Sequence, residues 1–361
     1  MKVRSLIASD PNWLTRLVEE FKIHVTRDGD LASLKYNQIE SPMHEPIVQE
    51  CRGMVVDVER RRVLAHPYNK FWNYGETLAA PIDWATARVQ DKLDGSLMIL
   101  YFDAHRDVWC VASSGQPTAG GPFGDTEQTF AEAFWSTFRA LDMRLPDNTE
   151  HCFMFEFCAA PNRIIVRHDS PRIVLHGSRH MPTGREWSTY ELSETCRSLN
   201  WEQVAEFPLT TIEDCLHAAE SLNPIAAEGF VVVDAAFNRI KIKSPRYVML
   251  HHMKGEATPR RAIELWQTGE TAEVLAHFPE FAPKILPTQE RLDRIAARAI
   301  EGIAWASGAA TRKDFALAVK EQPWSSIAFK LYGKPATVDD AREVMRSQSM
   351  AALERMLEAA P

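Results

Sequence analysis

The chain has 361 residues, 49 acidic and 41 basic side chains, a formal net charge of −8 and 45% hydrophobic residues. That is the composition of a globular protein long enough for two domains. The acidic balance excludes coating of nucleic acid through bulk positive charge, and no stretch reaches the roughly 18–20 apolar residues of a membrane span.

The N-terminus, MKVRSLIASDPNW, lacks the long apolar core of a secretory leader. SDPNWLTRLVEEF predicts one capped helix, with Ser9 or Asp10 at the N-cap and Pro11 in the first turn. CRGMVVDVERRRVLAHPY predicts a hairpin about the charged turn 59–62, and RVQDKLDGSLMILYFDAHRDVWCVAS a strand pair about AHRD. TEQTFAEAFWSTFRAL carries apolar residues at helical spacing. CFMFEFC, RIVLHGS, EGFVVVD and NRIKIK follow as strands, with short helices around 188–198 and 211–221 between some of them. Strands that arrive as hairpins, not as βαβ units, indicate an α+β domain of antiparallel sheets. After about residue 255 the strand signal ceases, and prolines punctuate helical segments such as TQERLDRIAARAIEGIAWA. The expected organisation is an α+β domain over 1–254 and an all-helical domain over 255–361. Six scattered cysteines with no CxxC pair argue against structural zinc and indicate reduced thiols in a cytoplasmic protein.

Four pieces carry chemistry. In KLDGS, Lys92 and Asp94 stand with Gly95 and a serine before a strand. The lysine is either part of an ordinary turn or a nucleophile. A free lysine has a pKa near ~10.4 and is protonated, so attack needs nearby cations or desolvation to free the lone pair. In FMFEFCAAPNRIIV, Glu156 stands between two phenylalanines that point to the opposite face. It is either an edge-strand residue facing solvent or a partnered carboxylate near a metal or ribose, with Asn162 and Arg163 available to hold it or a phosphate. In EGFVVVD and NRIKIKS, Glu228 opens a strand, and Lys241 and Lys243 share one face of the next. Those lysines are a solvated face or a polyphosphate site. Upstream, Arg52 of ECRG can reach a phosphate, and Lys70, Phe71 and Trp72 combine charge with aromatic surface that serves either a core or a base. The stretch 239–261 concentrates seven basic residues against one glutamate.

The pieces follow one another as Arg-Gly, Lys-Phe, Lys-x-Asp-Gly-Ser, Phe-Glu-Phe, Glu-Gly-Phe-Val and Lys-Ile-Lys-Ser. This ordered set resembles the covalent nucleotidyltransferases, specifically the bacteriophage T4-type RNA ligase 1 family of ATP-dependent RNA ligases, over about residues 35–254. The resemblance implies an ATP-grasp-like nucleotidyltransferase domain. Lys92 would attack the α-phosphate of ATP, release pyrophosphate and form lysyl–AMP. Arg52, Lys70, Phe71, Trp72, Asp94, Gly95, Glu156, Lys241 and Lys243 would contact the nucleotide. Glu228, with Glu156, would hold Mg2+ or Mn2+, and Tyr247 matches a tyrosine the family carries after its fifth motif. AMP would then pass to an RNA 5′-phosphate, and a 3′-hydroxyl would seal the strand and release AMP. The implied partners are RNA ends in repair, tRNA among them, with the basic stretch 239–261 and the helical domain as candidate RNA sites.

The family often carries a further lysine near a Gly-Ser after the first motif. Here Ser113, Ser114 and Gly115 stand without it, so that phosphate contact falls either to backbone N–H groups at Gly120, Gly121 and Gly124 or to nothing, the stretch being a surface loop. A DNA ligase would carry a small β-barrel downstream, where this chain reads helical. A GTP-using capping enzyme would carry arginine at the position of Leu97. A non-catalytic RNA-end-binding module would bind RNA without ever taking label from ATP.

Overall fold

The structure, a computed structural model, describes residues 1–255, 259–269, 271–277, 279–308 and 311–359, without the side chains of 252–255, 268, 273, 276, 277 and 280. Two helices, Lys2–Ser9 and Trp13–Glu19, open the chain where one was expected. Asp10 ends the first, and its Oδ1 accepts from the Asn12 amide at 2.7 Å, which turns the backbone into the second.

The strands are β1 (Ile23–Asp28), β2 (Leu31–Tyr36), β3 (Arg52–Asp57), β4 (Arg62–Ala65), β5 (Trp72–Asn73), β6 (Arg88–Asp91), β7 (Ser96–Asp103), β8 (Val108–Ser113), β9 (His151–Cys158), β10 (Arg172–His180), β11 (Glu202–Gln203), β12 (Glu206–Phe207), β13 (Gly229–Val233) and β14 (Arg239–Lys243). They form three sheets, ordered β1-β2-β3-β4, β11-β10-β9-β7-β8 and β12-β6-β13-β14-β5. The short pairings β10–β11 and β14–β5 are parallel and the others antiparallel, so the class is α+β as the hairpin pattern indicated.

Alternation along two strands decides what each sheet buries. On β9, Phe153, Phe155 and Phe157 pack with Phe134, Phe138 and Trp201, beneath the helix Phe130–Ala140. Cys152 and Met154 face the other way, into a cluster with Val55, Tyr68, Ile99 and Tyr101, and Glu156 takes the next place in that row. On β14, Ile240 and Ile242 join Val89, Phe230 and Val232 against Cys215 and Ala219 of the helix Ile212–Ser221. The opposite face of β14 carries Arg239, Lys241 and Lys243. The chain crosses from the third sheet to the second over residues 92–95, between β6 and β7.

Two compact units divide the chain, Met1–Val248 and Met249–Pro361. The second has no strand among its described residues. Its long helix Ala282–Ala306 contributes Leu292, Ile295 and Ala299 to a core with Ile263, Ile327 and Met345. Among the described residues, no helix is long and apolar enough to cross a membrane.

Phe134 is fully buried and its ring meets Phe138, Phe155 and Phe157. Phe134→Ala is expected to cost about 3–5 kcal/mol and to lower the urea midpoint of the full chain, followed by tryptophan fluorescence. An unchanged midpoint would contradict this packing.

Candidate active site

Lys92 is held through its own amide and through the residues that follow it. Its amide donates to the Gly229 carbonyl at 2.9 Å, which ties the crossover to the start of β13. Gly229 has φ +148°, and a Cβ there would lie 2.1 Å from the Ile242 carbonyl oxygen, so only glycine allows β13 and β14 to meet at this point. On the other side of Lys92, Asp94 is buried: its Oδ2 accepts from the amides of Ile165 (2.8 Å) and Val166 (2.7 Å), and its Oδ1 from the Tyr247 hydroxyl (2.7 Å). His168 Nε2 donates to the Asp94 carbonyl at 2.7 Å. A Cβ on Gly95 would lie 2.5 Å from the Phe157 carbonyl oxygen, and the Gly95 amide donates to Glu156 Oε1 at 3.1 Å. Asn162 Nδ2 closes the arrangement on Ser96 Oγ (3.0 Å) and the Phe157 carbonyl (2.8 Å).

Asp94 and Gly95, expected as nucleotide contacts, are turned to the protein in this structure. Neither lines the pocket, and the Asp94 carboxylate and the Gly95 amide are taken up by protein partners. Their part is to hold the lysine in place.

The pocket beside Lys92 brings together Arg52, Phe71, Glu156, Lys241 and Lys243. Glu228 lies beneath it, 3% exposed, with Oε2 accepting from Lys92 Nζ at 2.6 Å and Oε1 from Lys243 Nζ at 2.8 Å. Lys241 has no ion-pair partner among the described residues; burial first, then Arg52, Lys92, Lys70 and Lys243, holds its pKa down to about 7. Burial lowers the Arg52 pKa too, and its Nη1 is buried without a hydrogen-bond partner among the described residues. The Arg52 guanidinium and the Lys241 ammonium both sit over the Phe71 ring, at 4.8 and 5.1 Å from its centroid. Phe71 is therefore a platform for two cations and part of the wall. Buried cations crowded around an orphaned N–H fit an anion of several charges.

Glu156 sits on a strand paired on both sides, which excludes the edge-strand alternative. Burial pushes its pKa up to about 7, with Lys92 opposing and Glu228 reinforcing the shift. Its Oε2 is 3.7 Å from Nε2 of His176, whose pKa burial and then Arg52, Arg239 and Lys92 hold at about 3. That imidazole is neutral. Among the described residues no group of three or more acidic, histidine or cysteine side chains is arranged to hold a metal, and both Glu228 oxygens are bonded to lysines. The expected metal ligands Glu228 and Glu156 thus form no protein cage; the donor set fits a metal that brings phosphate oxygens as most of its ligands.

Lys70 and Trp72 line an adjoining groove, not the pocket itself; the two share Tyr68, Phe71 and Arg239. The Lys70 ammonium lies over Tyr36 (4.9 Å) and Trp72 (5.9 Å). The glycine-rich stretch after the first motif does not line the pocket. Phe123 anchors it to the core, stacked on Phe157 at 5.2 Å, while Gly120, Pro122 and residues 124–128 are exposed, so it is a surface loop pinned by one buried ring. Of the basic stretch 239–261, residues 256–258 lie outside the described residues.

Arg239 and His176 are among the pocket residues that the sequence reading did not single out. Arg239 was within reach, since it stands two before Lys241 on the same strand face. His176 gave no local signal. The β9–β10 register shifts between Leu175 and Gly177, and that bulge carries His176 toward the pocket.

Residues 50–247, just over half the chain, match the model of the T4-type RNA ligase 1 family, described as RNA ligase. A bifunctional polynucleotide kinase/RNA ligase of Autographa californica nuclear polyhedrosis virus is 25% identical over 356 residues, covering 91% of this chain and 49% of that protein. An RNA ligase of Rhodothermus phage RM378 is 24% identical over 303 residues, covering 66% of this chain and 68% of its own. Among solved structures, an archaeal ATP-dependent RNA ligase is similar at 13% identity and a TM-score of 0.49 over 82% of each chain. A Naegleria gruberi RNA ligase with ATP and Mn is similar at 17% identity and a TM-score of 0.36, over 46% of this chain and 52% of that one. The chain spans about half the length of the viral relative.

Lys241 generates a pH prediction. Its pKa is lowered from 10.5 to about 7, so between those values the unfolded chain binds a proton that the native chain does not. Its contribution to stability is complete above the unfolded value and is lost as pH falls through about 7. Lys241→Gln is therefore expected to stabilise the full chain relative to wild type at pH 6, with the gain shrinking toward pH 10, in thermal unfolding followed across that range. A gain independent of pH would count against the crowding of Lys241.

Proposed function

The chain belongs to the T4-type RNA ligase 1 family, and on that premise we propose that it joins RNA 5′-phosphate and 3′-hydroxyl ends using ATP. The observation that carries the reading is Glu228, one buried carboxylate bonded to both Lys92 and Lys243 beneath a pocket walled by Arg52 and Lys241.

ATP binds with its phosphates against Arg52, Lys241 and Lys243. The negative charge they attract weakens the hold of Glu228 on its lysines, and Glu228 Oε2, 2.6 Å from Lys92 Nζ, is placed to accept the proton that frees the amine. The nitrogen attacks the α-phosphorus, the P–N bond forms, and the bond to the β-phosphate oxygen breaks. Pyrophosphate leaves with that electron pair, and the second amine proton passes to solvent. Mg2+ or Mn2+, held by phosphate oxygens with Glu228 or Glu156, would neutralise phosphate charge during this step. An oxygen of the RNA 5′-phosphate then attacks the AMP phosphorus, the P–N bond breaks, and Lys92 recovers its protons. A 3′-hydroxyl attacks the activated 5′ end, a phosphodiester forms and AMP leaves. Under this reading the α+β unit performs adenylyl transfer, and the helical unit serves the choice of RNA, tRNA among the candidates, in cytoplasmic repair.

With Mg2+ and ATP labelled on the α-phosphate, wild-type protein freed of nucleotide is expected to carry label through a denaturing gel, and Lys92→Ala none. A chase with 5′-phosphorylated RNA should discharge the label to the RNA end. Absence of label on the wild type would overturn the proposal, and label from GTP alone would point to capping-type chemistry.

A further inference from the structure

We infer that Arg239 is a specificity-determining residue for the first chemical step, binding the outermost phosphate of the nucleoside triphosphate and the pyrophosphate that leaves. The inference rests on the ATP reading above and gives a role to Arg239, which the sequence analysis left without one.

Three observations carry it. The first is the stripe on β14. With Ile240 and Ile242 buried, Arg239, Lys241 and Lys243 share the pocket face, at steps of about 6.6 Å along the strand. The stripe begins at Lys243, joined to Lys92 through Glu228, and ends at Arg239. Arg239 lines both the pocket and the adjoining groove, whereas Lys92 lines the pocket alone. Across the third sheet, Lys241 pairs with Val231 and Val231 with Gln90. That side offers apolar and amide surface suited to a base, and the cations run the other way. A polyphosphate laid along them has its reacting end at Lys92 and its free end toward Arg239.

The second is charge. Glu186, 6% exposed, accepts from Arg239 Nη2 at 2.5 Å and from Arg179 Nη2 at 2.6 Å. One carboxylate bonds both buried guanidiniums; Asp234 adds negative charge near Arg239 but spends its hydrogen bonds on the amides of Asp83, Ala236 and Asn238, so Arg239 still has capacity for an incoming anion. The third is geometry. The Arg239 guanidinium lies on the Tyr68 ring at 4.1 Å, and Nη1 donates to the Phe237 carbonyl at 3.2 Å. Of its five N–H donors, only these two bonds are made among the described residues, so a rigidly held fork keeps donors for phosphate oxygens.

The test uses the full chain and three readouts: lysyl–AMP formation against ATP concentration, discharge of lysyl–AMP by pyrophosphate, and sealing of pre-adenylated RNA. The last substrate carries neither β- nor γ-phosphate. Arg239→Met is expected to raise the half-saturating ATP and pyrophosphate concentrations by about tenfold to a hundredfold, the loss of a charge-assisted hydrogen bond, and to affect sealing at least about tenfold less. Arg239→Lys, which keeps the charge and loses the fork, should show the same selective pattern at smaller size. It also decides the matter if the methionine variant fails to fold. Equal losses in all three readouts would make Arg239 a structural member of the Glu186 ion pair and overturn the inference, as would unchanged ATP and pyrophosphate dependence. A wild-type chain that neither labels itself nor seals would count against the ligase reading instead.

Discussion

One buried carboxylate between two ammonium groups organises the site. Glu228 is buried while both lysines are partly exposed, so moving it away from either leaves its own carboxylate short of a partner inside the protein. The backbone serves that contact. Lys92 bonds to the carbonyl of the residue after Glu228, Ser244 to the carbonyl of Glu228 itself at 2.9 Å, and Gly229 lets the two strands close on each other. Three segments far apart in sequence are thereby locked to one oxygen pair.

The same principle extends outward as an excess of positive charge with too few counterions. Glu228 answers for two lysines and Glu186 for two arginines, while among the described residues Lys241 has no carboxylate partner and Arg52 keeps an unbonded Nη1. A surface protein region would balance such charges with solvent. Here two sheet faces and a phenylalanine ring hold them out of water, so the folded chain carries an electrostatic cost that a multiply charged ligand removes.

The parts legible in the sequence were those with a period. Alternation on β9 and β14 gave the faces of Glu156, Lys241 and Lys243, and the same rule applied two residues earlier would have given Arg239. Hairpins joined by short turns gave the class. What escaped depended on long-range contact. Nothing near Asp94 announces that Ile165, Val166 and Tyr247 will consume both its oxygens, and an acidic residue beside a lysine reads as a ligand contact until those partners are known. His176 reaches the pocket only because β10 bulges against β9. Phe71 and Trp72, adjacent in sequence, part company because β5 pairs Trp72 with Ile240 while Phe71 turns under Arg52 and Lys241.

The crowding of Lys241 has a calorimetric consequence. A lysine held at about 7 is partly neutral at physiological pH, and an anion placed beside it restores its affinity for a proton. Occupation of the pocket then draws protons from the medium, and the heat evolved depends on the ionisation enthalpy of the buffer that supplies them. Under the proposed function, nucleotide recognition is in that sense a three-component equilibrium, in which hydrogen ion is a co-ligand.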